Sequence, residues 1–152
     1  KAQVHSLSDI IASGKYHKGI EDNIKKAEQL STARPEYRER LMKRSELQTQ
    51  TMKLLADYRL DALVYPHQKR LAVPVGQTQI ERNGVLGSVT GFPSLVVPGG
   101  FSSPSASAPI GVPIGLEILG RPWSEPVLIQ IAYAFEQATK FRRPPESTPS
   151  LA

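Results

Sequence analysis

The spacing of apolar residues predicts a long helix in the first half of the chain. Between residues 36 and 58 no glycine or proline interrupts the sequence, and positions suited to packing recur three, four and seven residues apart. These positions are Tyr37, Leu41, Gln48, Met52 and Leu55. One face of this helix is therefore expected to lie against a core. Two shorter helices are predicted ahead of it, over residues 6–14, where Ser6 and Asp9 have capping-box spacing, and over residues 21–30.

Short apolar runs later in the chain predict strands. The runs 61–66, 94–97 and 114–119 are bounded by proline or glycine, and the last two are expected to be neighbouring buried strands. The segments 67–88 and 99–111 are rich in turn-forming residues and are expected to be irregular loops.

A final helix is predicted over residues 125–139, with Ser124 as its cap. Its buried face is expected to comprise Val127, Ile131, Ala134 and Phe135, broadened by Leu128 and Ala132. Pro144 and Pro145 prevent its continuation, so residues 146–152 are expected to form a loose tail.

The composition excludes several classes of function. The 152 residues contain no cysteine, which rules out a disulfide, a thiolate nucleophile and a zinc–thiolate site within this chain. No apolar run approaches the roughly 20 residues that a membrane helix needs. The net charge of +5 is concentrated in residues 1–44, where acidic residues alternate with basic ones, a pattern typical of a solvated helix face. His5 and His17 lack metal-ligand spacing. We therefore expect no metal, no cofactor, no nucleic acid and no membrane among the binding partners.

Apolar and turn residues in the second half form blocks that follow one another in a specific order. The blocks are Asp61-Ala62-Leu63-Val64-Tyr65-Pro66, then Thr90-Gly91-Phe92-Pro93-Ser94-Leu95-Val96-Val97-Pro98-Gly99-Gly100-Phe101, then Gly111-Val112-Pro113-Ile114-Gly115-Leu116-Glu117-Ile118-Leu119-Gly120-Arg121-Pro122-Trp123-Ser124-Glu125. In this order they resemble the C-terminal part of the amidase signature family, and in style its fungal members. The resemblance covers most of the chain and is vaguest over residues 1–34.

The resemblance implies an α/β fold, namely the C-terminal part of an α/β/α sandwich with a mixed central sheet. It also implies hydrolysis of amide C–N bonds by a serine nucleophile with a second serine and a lysine, because a serine hydroxyl needs a positioned base and the acyl oxyanion needs donors. In the family these groups lie upstream, in a Gly/Ser-rich signature and a lysine. The nearest imitation here, residues 99–107, lacks the glycines of the signature and a nearby base, so Ser102 and Ser103 are not expected to be nucleophiles. No catalytic residue is expected in this chain, which alone should be inactive.

Five residues are candidates for substrate binding. His67 follows the first predicted strand, and ligands of open α/β sheets gather beyond strand ends. A loop histidine bonded to the backbone is the competing interpretation. Ser88, Thr90, Gly91 and Phe92 match the family segment near its substrate channel, although the same residues can serve only to turn the chain into the following strand.

Other notable residues have structural interpretations. Asn83-Gly84 predicts a tight turn, because both residues tolerate positive φ. Trp123, the only tryptophan, is expected to pack beneath the last helix. Glu117 stands in an otherwise apolar run, so we expect it to point to a sheet edge or to pair with a cation such as Arg121.

Two functional hypotheses follow from these observations. In the first, residues 35–145 are the C-terminal portion of an amidase signature domain that supplies strands and part of a substrate pocket, and residues 1–34 are a peripheral helical arm. Its partners are then the N-terminal portion of the same amidase, which carries the catalytic residues, and a small-molecule amide substrate. In the second, the chain is a non-catalytic binding or scaffold module that retains this half of the fold.

Overall fold

A computed structural model describes residues 3–144 of the chain. In chain order its elements are helix α1 (Leu7–Ser13), a 3-10 turn (Lys18–Ile20), helices α2 (Glu21–Glu28) and α3 (Pro35–Asp57), strand β1 (Ala62–Pro66), helix α4 (Val85–Thr90), strands β2 (Ser94–Phe101) and β3 (Pro113–Gly120), and helix α5 (Glu125–Thr139). The predicted tail at 146–152 and residue 145, where the predicted domain ends, lie outside the described residues.

Two compact units make up the chain, Lys1–Ser45 and Glu46–Ala152. A domain boundary after residue 34 stays a prediction. Among the described helices, none combines the length and apolar character needed to cross a membrane.

Local capping signals shape the first unit. Ser6 Oγ accepts a hydrogen bond from the Asp9 N–H at 3.1 Å, and the Asp9 carboxylate accepts from the backbone N–H groups of His5 and Ser6, as the capping-box spacing predicted. These bonds, that of His5 foremost, lower the pKa of Asp9 from its ordinary value. Gly14 then ends α1 in the left-handed conformation.

Helix α3 runs without interruption from Pro35 to Asp57, close to its predicted bounds. The predicted buried stripe is wrong over most of its length, because Tyr37 and Leu41 are exposed and only Leu55 of the five positions is buried. The other buried residue of α3 is Thr51. Its hydroxyl donates to the Leu47 carbonyl at 2.8 Å, which is how a polar side chain is accommodated inside a helix face.

A three-stranded antiparallel sheet in the order β1-β3-β2 organises the second unit. The prediction that the second and third strands are neighbours is confirmed. Strand β2 is longer than predicted, reaching Phe101 through an irregularity between Pro98 and Gly100, so the segment predicted to be a loop from residue 99 begins instead with ladder pairing. Because β3 pairs on both sides, its polar backbone groups are satisfied and its side chains can be buried.

Helices lie on both faces of this sheet. Ile118 of β3 packs against Leu128 and Ala132 of α5 on one face. Since side chains alternate along a strand, Glu117 and Leu119 point to the opposite face. There α4 approaches so closely that a Cβ on Gly87 would lie 3.4 Å from Leu119 Cδ1. The predicted α/β class is thus confirmed, with antiparallel pairing between the described strands.

The buried face of α5 is narrower than predicted. Leu128 and Ala132 are the buried positions, whereas Val127 and Ala134 are exposed. Ser124 precedes the helix as expected, but its hydroxyl makes no cap bond and donates to the Arg121 carbonyl at 2.7 Å.

The expectation that Trp123 packs beneath α5 is wrong, because its side chain is 90% exposed. The space beneath the helix start is already filled: a Cβ on Gly120 would lie 2.8 Å from Leu128 Cδ2 and would also clash with Ser124 Oγ. No room remains there for an indole. The backbone of Trp123 instead adopts a positive φ of 64°.

Candidate functional site

Three polar side chains meet on the face of the sheet that α4 covers. Tyr65 of β1 lies directly opposite Glu117 of β3 in the strand register, and paired residues project to the same face. His67 follows β1, and its Nδ1 lies 2.8 Å from Glu117 Oε2. We call Tyr65, His67 and Glu117 the Glu117 cluster.

Glu117 is the buried member of this cluster, with 2% of the residue exposed. Both expectations for it were wrong. It lies in the central strand rather than at an edge, and Arg121 donates instead to the carbonyl groups of Leu55 at 3.3 Å and Leu60 at 3.0 Å. A buried carboxylate is costly without a partner, and its partner here is His67.

Backbone hydrogen bonds hold His67 in place. Its N–H donates to the Gly115 carbonyl at 3.1 Å, and its own carbonyl accepts the N–H groups of Asn83 at 3.0 Å and Gly84 at 3.2 Å. The Asn83 side-chain amide also donates to the Pro66 carbonyl at 2.9 Å. His67 is therefore bonded through its backbone, as the competing interpretation expected, and in addition through its ring to a carboxylate.

Asn83 and Gly84 begin a helix instead of forming the expected tight turn. Gly84 is the residue before α4 and has a φ of −62°, so a left-handed backbone is not the reason for glycine at this position. A Cβ there would lie 2.6 Å from Nδ1 of His67 and would also clash with Cε1 of the same ring. Glycine is thus required for the imidazole to reach Glu117. The segment predicted to be irregular from 67 to 88 contains most of this helix.

The other four predicted site residues lie at the end of α4 and the start of the turn into β2. Ser88 is exposed, whereas Thr90 and Phe92 are buried. The Thr90 hydroxyl donates within α4 and accepts the Phe92 N–H at 3.2 Å. Gly91 ends the helix with a φ of 73°. The structure therefore brings Ser88, Thr90, Gly91 and Phe92 together and places His67 at the opposite end of α4. Their roles in binding stay predictions.

Tyr65 completes the Glu117 cluster. Its hydroxyl is buried and has no hydrogen-bond partner of ordinary geometry among residues 3–144, although the Glu117 carboxylate lies nearby. Burial, and secondarily this carboxylate, raises the pKa of Tyr65 to about 12. The phenol is thus held in its neutral form.

One of the five tyrosines should accordingly titrate near pH 12, detached from a group near pH 10, in a measurement of tyrosinate absorbance. The Tyr65→Phe variant should lack this late step. Because the folded state has the higher pKa, the stabilisation is complete below about pH 10 and is lost as the pH rises towards 12. The fall in unfolding free energy over this range should be smaller in Tyr65→Phe. Joint titration of all five tyrosines near pH 10 would contradict the assignment.

A groove of about 410 Å³ adjoins the Glu117 cluster. It shares Pro66, Gln68 and Gly115 with the immediate surroundings of His67, and apolar walls come from residues such as Leu71 and Ile114. This volume and mixed lining suit a small molecule.

The first unit has a cavity of its own, of about 500 Å³, between α2 and the start of α3. Its lining includes Leu30, Arg34, Tyr37 and Arg40. No constellation of reactive side chains accompanies it. Over residues 3–144, moreover, no set of three His, Asp or Glu side chains is grouped to hold a metal ion.

Comparison with known proteins finds amidases. No family model matches the chain. A probable amidase of Arabidopsis thaliana is 32% identical over 146 residues, which are 96% of this chain and 26% of the relative. A glutamyl-tRNA(Gln) amidotransferase of Moorella thermoacetica is 47% identical over 60 residues, covering 39% of this chain and 11% of that protein. In the crystal structure of the native peptide amidase from Stenotrophomonas maltophilia, 30% of the chain matches 95% of this one, with a TM-score of 0.71 and 34% identity.

The chain spans about a quarter of the length of the plant amidase that it matches almost end to end. The resemblance to amidases is confirmed in sequence and in fold. A particular likeness to fungal members is not supported by these relatives, which come from a plant and from bacteria.

Proposed function

We propose that this chain belongs to the amidase signature family and is the C-terminal portion of an enzyme that hydrolyses carboxamides, with its Ser-Ser-Lys triad outside these 152 residues. The extent of similarity carries the proposal: it covers 96% of this chain but 26% of the plant amidase. The structural match to the peptide amidase has the same character, 95% of this chain against 30% of the other. A chain related along its length to a fraction of an amidase would contribute a fraction of the amidase fold.

The hydrogen bonds of Ser102 support a nucleophile located elsewhere. Its hydroxyl donates to the Ser103 carbonyl at 3.1 Å and accepts the Val112 N–H at 3.0 Å. Both partners are backbone groups, and neither can remove the hydroxyl proton as an activating base would.

The chain would supply one wall of the substrate pocket. His67 and Ser88 would contribute side chains, because both remain accessible beside α4. Thr90, Gly91 and Phe92 would act by shaping the chain between α4 and β2, since Thr90 and Phe92 are buried. The groove next to His67 would receive part of a small-molecule amide.

The partner that fits this proposal is the N-terminal portion of the same amidase. Within the described residues β1 and β2 are the outer strands, and each pairs only with β3. Val64 and Val96, on these two strands, are about half exposed. Outer strands with apolar side chains are surfaces that proteins ordinarily cover.

Complementation tests the proposal. Ammonia release from small carboxamides should be seen with the full-length protein and with the upstream portion co-expressed with this chain. It should be absent with either piece alone. Cleavage of carboxamides by the purified 152-residue chain would refute the proposal, as would an inactive full-length protein that is folded and monodisperse. The latter result would favour the binding or scaffold module.

A further inference from the structure

We infer that His67 binds the nitrogen side of the substrate amide, with Nε2 accepting an N–H hydrogen bond, and that Glu117 is the positioning residue that fixes the tautomer of this histidine. The inference rests on the proposed function. It adds a ligand class, namely primary and secondary carboxamides, whose nitrogen carries the hydrogen that tertiary amides and esters lack.

The surroundings of the imidazole determine which atoms can meet a ligand. Nδ1 faces Glu117 at 2.8 Å. Gly84 lies against the edge formed by Nδ1 and Cε1, and Gly115 lies beneath the His67 Cβ, 3.9 Å from where its own Cβ would be. Yet 39% of the His67 side chain is exposed. The edge that carries Nε2 and Cδ2 is therefore the open part of the ring.

Glu117 determines what Nε2 can do. An ionised carboxylate only accepts hydrogen bonds, so the proton of the neutral imidazole must sit on Nδ1. Nε2 is then left with a lone pair and acts as an acceptor. Its complement on a ligand is an N–H or O–H donor, and an amide nitrogen provides one.

The histidine is also positioned in advance. Three backbone hydrogen bonds hold the residue, from its N–H to Gly115 and to its carbonyl from Asn83 and Gly84. The bond to the buried Glu117 holds the ring. A group fixed in this way loses little conformational entropy when it binds, which is the requirement for a precise binding contact.

Nitrogen NMR of the histidine side chains in the 152-residue chain tests the tautomer. His67 should be protonated at Nδ1 in the wild-type chain. Glu117→Leu, which keeps a similar volume but removes the acceptor, should shift His67 towards the Nε2-protonated form. Glu117→Gln retains an acceptor oxygen and should preserve more of the Nδ1-protonated form, which provides a reading if the leucine variant does not fold. A wild-type His67 protonated at Nε2 would overturn the inference.

Substrate selectivity of the full-length enzyme tests the binding role. The substrates are a primary carboxamide and an ester with the same acyl group. His67→Ala should lower kcat/KM for the amide about tenfold more than for the ester, as expected for the loss of one hydrogen bond. Glu117→Leu should produce the same selective loss, and the double variant should lose little more. Inhibition by the N,N-dimethyl amide, compared with the primary amide, gives the same comparison if the ester is not turned over.

The two levels of the proposal fail differently. A wild-type enzyme that hydrolyses amides while His67→Ala leaves the preference for N–H-bearing ligands intact overturns the role of His67 alone. A folded wild-type enzyme that hydrolyses no amide overturns the proposed function.

Discussion

The Gly84→Ala variant is expected to lose about 1–3 kcal/mol of unfolding free energy, the usual cost of forcing extra volume into a packed site. The reason is steric, since the new Cβ would lie 2.6 Å from Nδ1 of His67 and closer still to Cε1. Gly84 has a φ of −62°, which alanine adopts freely, so backbone strain adds nothing. To accommodate the methyl group, either the imidazole must leave Glu117 or the start of α4 must move. Urea unfolding followed by circular dichroism measures the loss.

A double-mutant cycle with His67→Ala isolates the clash. Replacing His67 by alanine removes the ring that the methyl group would strike, so Gly84→Ala should cost at least about 1 kcal/mol less in that background, within the range usual for residues in contact. Alanine is also a poorer residue than glycine at the start of a helix, but this cost is common to both backgrounds and cancels. Equal costs in the two backgrounds would show that Gly84 is needed for some reason other than the ring.

Elements held together by their own local pattern could be predicted from the sequence. The 23 residues of α3 follow from an uninterrupted helical composition, and β3 follows from an apolar run between proline and glycine. The cap of α1 follows from Ser6 and Asp9, because both partners of its hydrogen bonds lie within one turn. In each case the information is contained in a few consecutive residues.

Helix α4 could not be predicted, because tertiary contacts select its sequence. It has six residues, and glycines lie just before and within it. Those glycines read as turn signals, yet they mark close approaches: Gly84 to the His67 ring and Gly87 to Ser94 and Leu119. A short helix with residues chosen for proximity to a sheet carries little helical signal of its own.

The Glu117 cluster illustrates the same limit at the site. His67 was found because it follows a strand end, but its partner lies 50 residues away along the chain. Only the pairing of β1 with β3 places Glu117 opposite Tyr65 and within reach of His67. An isolated acid in an apolar strand was the available signal. Its meaning, a buried carboxylate that requires a partner, depends on which strand is central.

The two faces of the sheet have different requirements. On the α5 face, Ile118, Val97, Leu128 and Ala132 form an apolar cluster in which volume alone matters. On the α4 face, glycines make room for a histidine bonded to a carboxylate. Substitutions on the α5 face should therefore affect stability alone, whereas those on the α4 face should affect both stability and, under the proposed function, the recognition of amides.

Leu128→Ala is the test of the α5 face and should cost about 2–5 kcal/mol of unfolding free energy, the range for truncating a buried leucine. Leu128 is 1% exposed, packs in the cluster with Ile118, and fills the space above Gly120. Since domains have only about 5–15 kcal/mol of stability, a large part of the total would be lost. Circular dichroism is the appropriate measurement, because Trp123 is 90% exposed and its fluorescence should change little on unfolding.

Ile129→Ala provides the matched control for Leu128→Ala. Ile129 lies one position further along the same helix but is 60% exposed, so its truncation removes little buried surface. Alanine also has the higher helix propensity, which offsets part of that loss. We expect a change within about 0.5 kcal/mol, as for other surface substitutions. Comparable losses at positions 128 and 129 would mean that α5 does not dock through Leu128, and the assignment of the two sheet faces would then be wrong.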